Sequence, residues 1–149
     1  MAKNFKFRLE GLLKIRNFKE ENLKVELGHI LKEIDDVKGR IATLQSHIKQ
    51  TYDEFSTVIN NGAHGDLLKS YPRFIQSNKE DIKNQENLLY ALNRKFENIK
   101  SKLAQARGEV KVVENLKNNE QKIHNKELRK KQELEIEDLL QMRRAGDLK

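Results

Sequence analysis

The side chains best able to do chemistry in this sequence are four histidines, His29, His47, His64 and His124, and a large population of carboxylates. Metal ligation from a helix needs ligands three or four residues apart, and no histidine has another at that distance. There is no cysteine, hence neither a thiolate metal site nor a disulfide. A phosphate-binding loop needs clustered glycines followed by Lys and Ser or Thr; Gly62 and Gly65 lack that sequel and read as turn residues. General acid–base work requires a pocket that desolvates a carboxylate or imidazole. Whether such a pocket can form depends on the elements that carry these groups.

Those elements are set by one repeat. Leu9, Leu13, Arg16, Glu20, Leu23, Leu27, Ile30, Ile34, Val37, Ile41, Leu44, Ile48, Thr51, Phe55 and Val58 follow each other in alternating steps of four and three. Most are apolar, and Lys, Glu, Asp, Asn and Gln dominate between them. A repeat of 3.5 residues held this long specifies a left-handed coiled coil. So narrow a stripe needs a partner helix rather than a broad core. A second run supplies one: Ile75, Asn78, Ile82, Gln85, Leu89, Leu92, Phe96, Ile99, Leu103, Ala106, Val110 and Val113. Beyond it Leu116 and Ile123 change phase. From Asn125 the chain is strongly charged, with Leu128, Leu134, Ile136, Leu139 and Leu140 scattered through it.

The break between the runs, Asn60-Asn61-Gly62-Ala63-His64-Gly65-Asp66, is rich in residues that tolerate a left-handed conformation. Pro72, the single proline, suits the first turn of a following helix. A short connection between long helices favours antiparallel neighbours. The expected fold is therefore all-α: one domain, a long antiparallel two-helix coiled-coil hairpin. Its helices run over about 5–59 and 72–143, its turn over about 60–71, and a segment at about 125–149 overhangs or frays. One register sets Val58 against Ile75, Ile34 against Ile99, Leu9 against His124 and, unfavourably, Arg16 against Lys117. A slip of one heptad is the alternative. A two-helix hairpin has no pocket in which to desolvate a carboxylate, so the expectation is a protein that is not an enzyme and takes no cofactor.

Composition agrees with surface-rich helices: 36% of the 149 residues are charged and 6% aromatic. No segment has the roughly 18 apolar residues of a membrane span, and no signal-peptide pattern opens the chain. The net charge of +7 is thinly spread, without the basic stripe and interleaved aromatics of a nucleic-acid groove. Neither nucleic acid nor direct membrane insertion is expected. What remains is protein binding. Tyr52, Tyr71 and Phe74 put aromatic side chains beside the turn, to anchor an interface or to plug the end of the coil. Phe5 and Phe7, next to Arg8 and Leu9, either cover the helix start or dock on a partner.

The opening Phe5-Lys6-Phe7-Arg8-Leu9-Glu10, with Leu12-Leu13, Arg16 and Glu20-Glu21, resembles that of FliJ proteins of the bacterial flagellar type III export apparatus. So do Tyr71-Pro72-Arg73-Phe74-Ile75-Gln76 after the Asn-Gly turn, the stretch Arg107 to Lys117 with Glu114-Asn115-Leu116-Lys117, and the pair Glu137-Asp138 before a basic end. The resemblance implies a coiled coil similar to the central stalk of rotary ATPases, lying in the cytoplasm and peripheral to the inner membrane through the export apparatus. Its implied partners are the export ATPase hexamer, the cytoplasmic domain of the export gate, and export chaperones. Phe5, Phe7, Arg8, Leu9, Arg143 and Arg144 would face the ATPase, and Tyr52, Tyr71 and Phe74 the gate. Asn78 and Asp81 stand where the family often has apolar residues. The reading without that resemblance is a generic coiled-coil adaptor or oligomerisation module.

Overall fold

The computed structural model describes residues 4–62 and 65–147; Lys3, Ala63 and His64 lie outside the described residues. The chain is an all-α helical hairpin, α1 Glu10–Asn60 and α2 Gly65–Asp147, with no strand among the described residues. Burial follows the 3.5-residue repeat along both helices. In α1 every seam position from Leu13 to Val58 is buried or half-buried, and every other side chain from 11 to 60 is exposed. In α2 the same holds from Ile75 to Val113, with Leu68 and Tyr71 extending the seam backwards and Glu109 half-buried beside it.

The contacts group Asn22–Leu103 as one unit and the flanking segments of the chain as another. In the 22–103 unit, Ile30, Ile34, Val37, Leu92 and Ile99 form the core, with Leu23, Leu27, Ile41, Leu89 and Phe96 packed against it. Val37 is 1% exposed. Truncating such a side chain to Ala costs about 2–4 kcal/mol, because the cavity cannot fully collapse. Towards the turn the seam becomes polar. Thr51 is buried and donates its hydroxyl to the His47 carbonyl at 2.7 Å. Asn78 is also buried, yet its Nδ2 has no partner. The Phe55 and Tyr71 rings meet edge-on at 5.5 Å. α1 ends as the sequence implies: Asn61 and Gly62 donate back to Thr57 and Ile59, and Gly62 takes a φ of 78°.

In the other unit, Phe7, Leu13, Val110 and Val113 form a second core, joined by Phe5 and Leu9. Polar contacts surround it. Arg16, at a seam position, donates Nη1 to the Glu109 carbonyl at 2.9 Å. Lys19 pairs with Glu109 at 3.8 Å, Arg107 with Glu20 at 3.6 Å, and Lys117 with Glu10 at 2.9 Å. Surface pairs of this kind contribute at most about 1 kcal/mol each, but they penalise wrong alignments.

Several sequence expectations are corrected. The register is the slipped one: Glu10, not Arg16, meets Lys117; Phe5, not Leu9, meets His124; and Tyr71, not Ile75, sits against the end of α1. The slip replaces a repulsive Arg16–Lys117 pairing by attractive ones. It can be accommodated because α2 begins at Gly65 rather than 72, one heptad earlier, so that Leu68 and Tyr71 join the seam. Pro72 consequently lies inside α2. Its missing N–H and ring clash cost about 3 kcal/mol, offset by the seam contacts on either side. At the other end, residues 4–7 are not helical and α1 starts at Glu10, not 5. Finally, α2 does not lose phase after Val113 and stays helical to Asp147. Lys117, Glu120 and His124 continue the seam as half-buried polar residues, while Leu116 and Ile123 stand outside it, exposed.

The orphaned Asn78 amide gives a direct test. Asn78→Leu removes a buried donor that has no acceptor and adds apolar contact. It is expected to raise the unfolding free energy by about 1–3 kcal/mol, read from the urea midpoint. A lower midpoint would mean that the amide has an acceptor worth more than the burial.

Candidate partner-binding surfaces

The chain enters α1 through a segment tied down by its own aromatics. Glu10 N–H donates to the Phe7 carbonyl at 3.2 Å and Leu13 N–H to the Leu9 carbonyl at 3.0 Å. Phe7 is 8% exposed, inserted beside Leu13, Val110 and Val113. Phe5 is half-buried, with its ring tilted against the His124 imidazole at 5.6 Å. Leu9 is half-buried and Arg8 exposed. A hollow of about 450 Å³ opens here between Phe5, Lys6, Phe7, Glu10 and Lys117. Thus Phe7 is core, and what reaches the surface is Arg8 with parts of Phe5 and Leu9.

The structure does not bring Arg143 and Arg144 to this place. α2 passes Phe5 at His124, and Arg143 follows about five turns later, roughly 28 Å along the helix. Over that distance α1 offers no cover. Every described side chain from 129 to 146 is exposed, including Leu134, Ile136, Leu139, Leu140 and Met142. The six residues assigned from the sequence to one surface therefore belong to two: a capped helix start, and a bare helical arm.

Near the turn, Tyr52 and Tyr71 come together and Phe74 does not join them. Tyr52, Phe55, Tyr71, Pro72, Ile75, Gln76 and Lys79 line a hollow of about 250 Å³. Tyr71 is a half-buried seam residue, Tyr52 is 48% exposed at its rim, and Phe74, 50% exposed, lies outside it. The heptad explains the split. Tyr52 follows a seam residue, Thr51, and Phe74 precedes one, Ile75, so they occupy opposite flanks of the coil.

One surface goes beyond the sequence expectations. Leu12 and Lys19 each stand one residue before a seam position, as do Glu109, Leu116 and Ile123 on α2. The Lys19–Glu109 pair shows that these positions face one another across the helices. Leu12, Leu116 and Ile123, with Ile15 and Val112 beside them, therefore form an apolar flank, each of them exposed. The signal for it lies in the residues that are out of phase with the main repeat: Leu116 and Ile123 are seven apart, a second stripe beside the first.

Among the described residues no group of three His, Cys, Asp or Glu stands close enough to hold a metal, and no helix is long and apolar enough to cross a membrane. A groove of about 740 Å³ along Asp36, Gly39, Arg40, Asp81, Asn84 and Gln85 is open to solvent. The surfaces described above carry aromatic and aliphatic side chains in charged surroundings, the composition of protein interfaces. A family model described as Flagellar FliJ protein matches residues 5–147. No curated protein and no solved structure matches the chain.

Core and surface can be separated by substitution. Phe7→Ala is expected to cost about 3 kcal/mol and to speed amide exchange over the first turns of α1, whereas Arg8→Ala should change stability by no more than about 0.5 kcal/mol. Exchange mass spectrometry of both variants checks this; equal effects would mean that Phe7 is not part of the core.

Proposed function

Since the chain belongs to the FliJ family, non-enzymatic flagellar proteins connected with export, we propose that it is a stalk-like component of the flagellar type III export apparatus. In this reading it binds the export ATPase hexamer and promotes its assembly and activity. It links the ring to the cytoplasmic domain of the export gate and to substrate chaperones. It works in the cytoplasm, held at the inner membrane only through the apparatus.

The observation that supports this most is the inequality of the two helices. α1 has 51 residues and α2 has 83, and the excess of α2 has no cover from α1 between 129 and 146. A helix that stays continuous while presenting apolar and charged groups on all sides is suited to an enclosing partner such as a ring. Arg143 and Arg144 on this arm, and Arg8 at the helix start, would meet acidic ring surfaces with salt-dependent association. Phe7 acts beneath that surface, by fixing the segment that carries Phe5, Arg8 and Leu9. Tyr52 and Tyr71, sharing one hollow, are the stronger pair for the gate, and Phe74 serves a contact on the other flank. A generic coiled-coil adaptor would use the same seam without an ATPase.

The test is the activity and hexamer population of the cognate export ATPase, with and without the purified protein. Stimulation together with ring assembly is expected. The double variant Arg143→Ala, Arg144→Ala should weaken the stimulation about fivefold or more, as loss of an interface hot spot would. Tyr52→Ala should leave it unchanged while weakening binding to the gate domain. No change in activity or assembly, with both proteins folded, would favour the adaptor.

A further inference from the structure

Within the 22–103 unit the pairing of α1 with α2 is uneven. Its core runs as far as Ile41 and Leu89 and ends there. Gln85, a half-buried seam residue, comes next and accepts from Arg40 at 3.4 Å. Beyond it, over 44–58 and 68–82, the one buried apolar side chain is Ile75; the other buried ones are Thr51 and Asn78. Thr51 turns its hydroxyl to the His47 carbonyl of its own helix, and the Asn78 Nδ2 has no partner. Thr57 and Gln76 likewise bond to Asp53 and Glu80 within their own helices. Pro72 removes a backbone donor from α2. A hollow of about 250 Å³ between Tyr52, Tyr71, Ile75 and Lys79 takes further contact from the seam. Each feature weakens the grip between the helices, and all of them fall in the same five layers.

We propose that 44–58 and 68–82 form a cooperative unit that opens by itself, while the pairing built on Ile30, Ile34, Val37, Leu92 and Ile99 stays closed. The two stretches must open together. Each has 15 residues, one of them with Pro72 inside, too short to remain helical in water without the other. Parting the helices therefore melts them. Opening also gives the Asn78 amide to water, which the closed form denies it. The Phe55–Tyr71 contact and the hollow shared by Tyr52 and Tyr71 exist in the closed form alone. A partner that fills the hollow shifts the equilibrium towards closure by its own binding free energy. The opening is a property of the chain and does not depend on the stalk reading.

The experiment is native-state hydrogen exchange of the purified full chain, read by mass spectrometry where reclosing is faster than exchange. Amides of 44–58 and 68–82 are expected to exchange about tenfold or more faster than those of 23–41. Asn78→Leu should slow both stretches alike, about tenfold, although only one of them carries the substitution. Val37→Ala should speed exchange over 23–41 about thirtyfold or more and leave both stretches as they were, because Val37 stays packed when the turn end opens. If that variant does not fold, Ile34→Val makes the same comparison at about threefold. Equal acceleration of 44–58 and 68–82 by the core variant would overturn the proposal, since the turn end would then open only with the whole hairpin. Slowing of 68–82 alone by Asn78→Leu would overturn it too, since the helices would then fray singly. With no ATPase or gate domain present, either outcome leaves the stalk reading untouched.

Discussion

A stripe of apolar residues 3.5 apart is too narrow to be buried by anything except another helix carrying the same stripe. The structure depends on that constraint. It makes the chain a hairpin, because the second stripe is supplied by the same chain after a short turn. It also makes nearly every other side chain a surface residue, as burial confined to the seam shows. A protein built this way presents most of its side chains on faces and ends.

Within the constraint, register decides which parts are left over. Apolar seams alone tolerate a slip of one heptad, since every step of seven restores the pattern. The polar residues discriminate. Arg16 reaches the Glu109 carbonyl, Lys19 and Glu20 find partners on α2, and Glu10 takes Lys117. Starting α2 one heptad earlier accommodates this alignment at the turn, even with Pro72 inside the helix. The consequence appears at the other end of the pairing, where α1 runs out and α2 continues. The arm is thus the remainder of the alignment, and a place where the surface is free to serve a partner.

Much of this is legible in the sequence. The heptads of Leu13 to Val58 and of Ile75 to Val113 mark the seam residue by residue, because the period of burial is the period of the helix. The Asn-Gly turn is legible through the conformation that Gly62 takes. The register is not, since both alignments bury the same heptad stripe over most of its length and the polar pairs that separate them are worth little each. Nor is the early start of α2, where Pro72 points to a helix boundary that seam packing overrides. Phe7 and Phe74 cannot be distinguished by type. Both are phenylalanines close to a seam; one folds back as core, and the other is half exposed on a flank. The apolar flank of Leu12, Leu116 and Ile123 is hidden because, against the main repeat, those residues look like a failing heptad.

The chain thus divides into a part that holds the fold and a part left bare, and the division falls near Leu128, the last half-buried position among the described residues of α2. The most direct test of that division is a chain ended after Leu128, measured both for its urea unfolding midpoint and for stimulation of the cognate export ATPase. The expected result is a midpoint close to that of the full chain and loss of most of the stimulation. Full stimulation by the shortened chain would contradict the division, and so would collapse of the hairpin, which would show that the bare arm is part of what holds the fold.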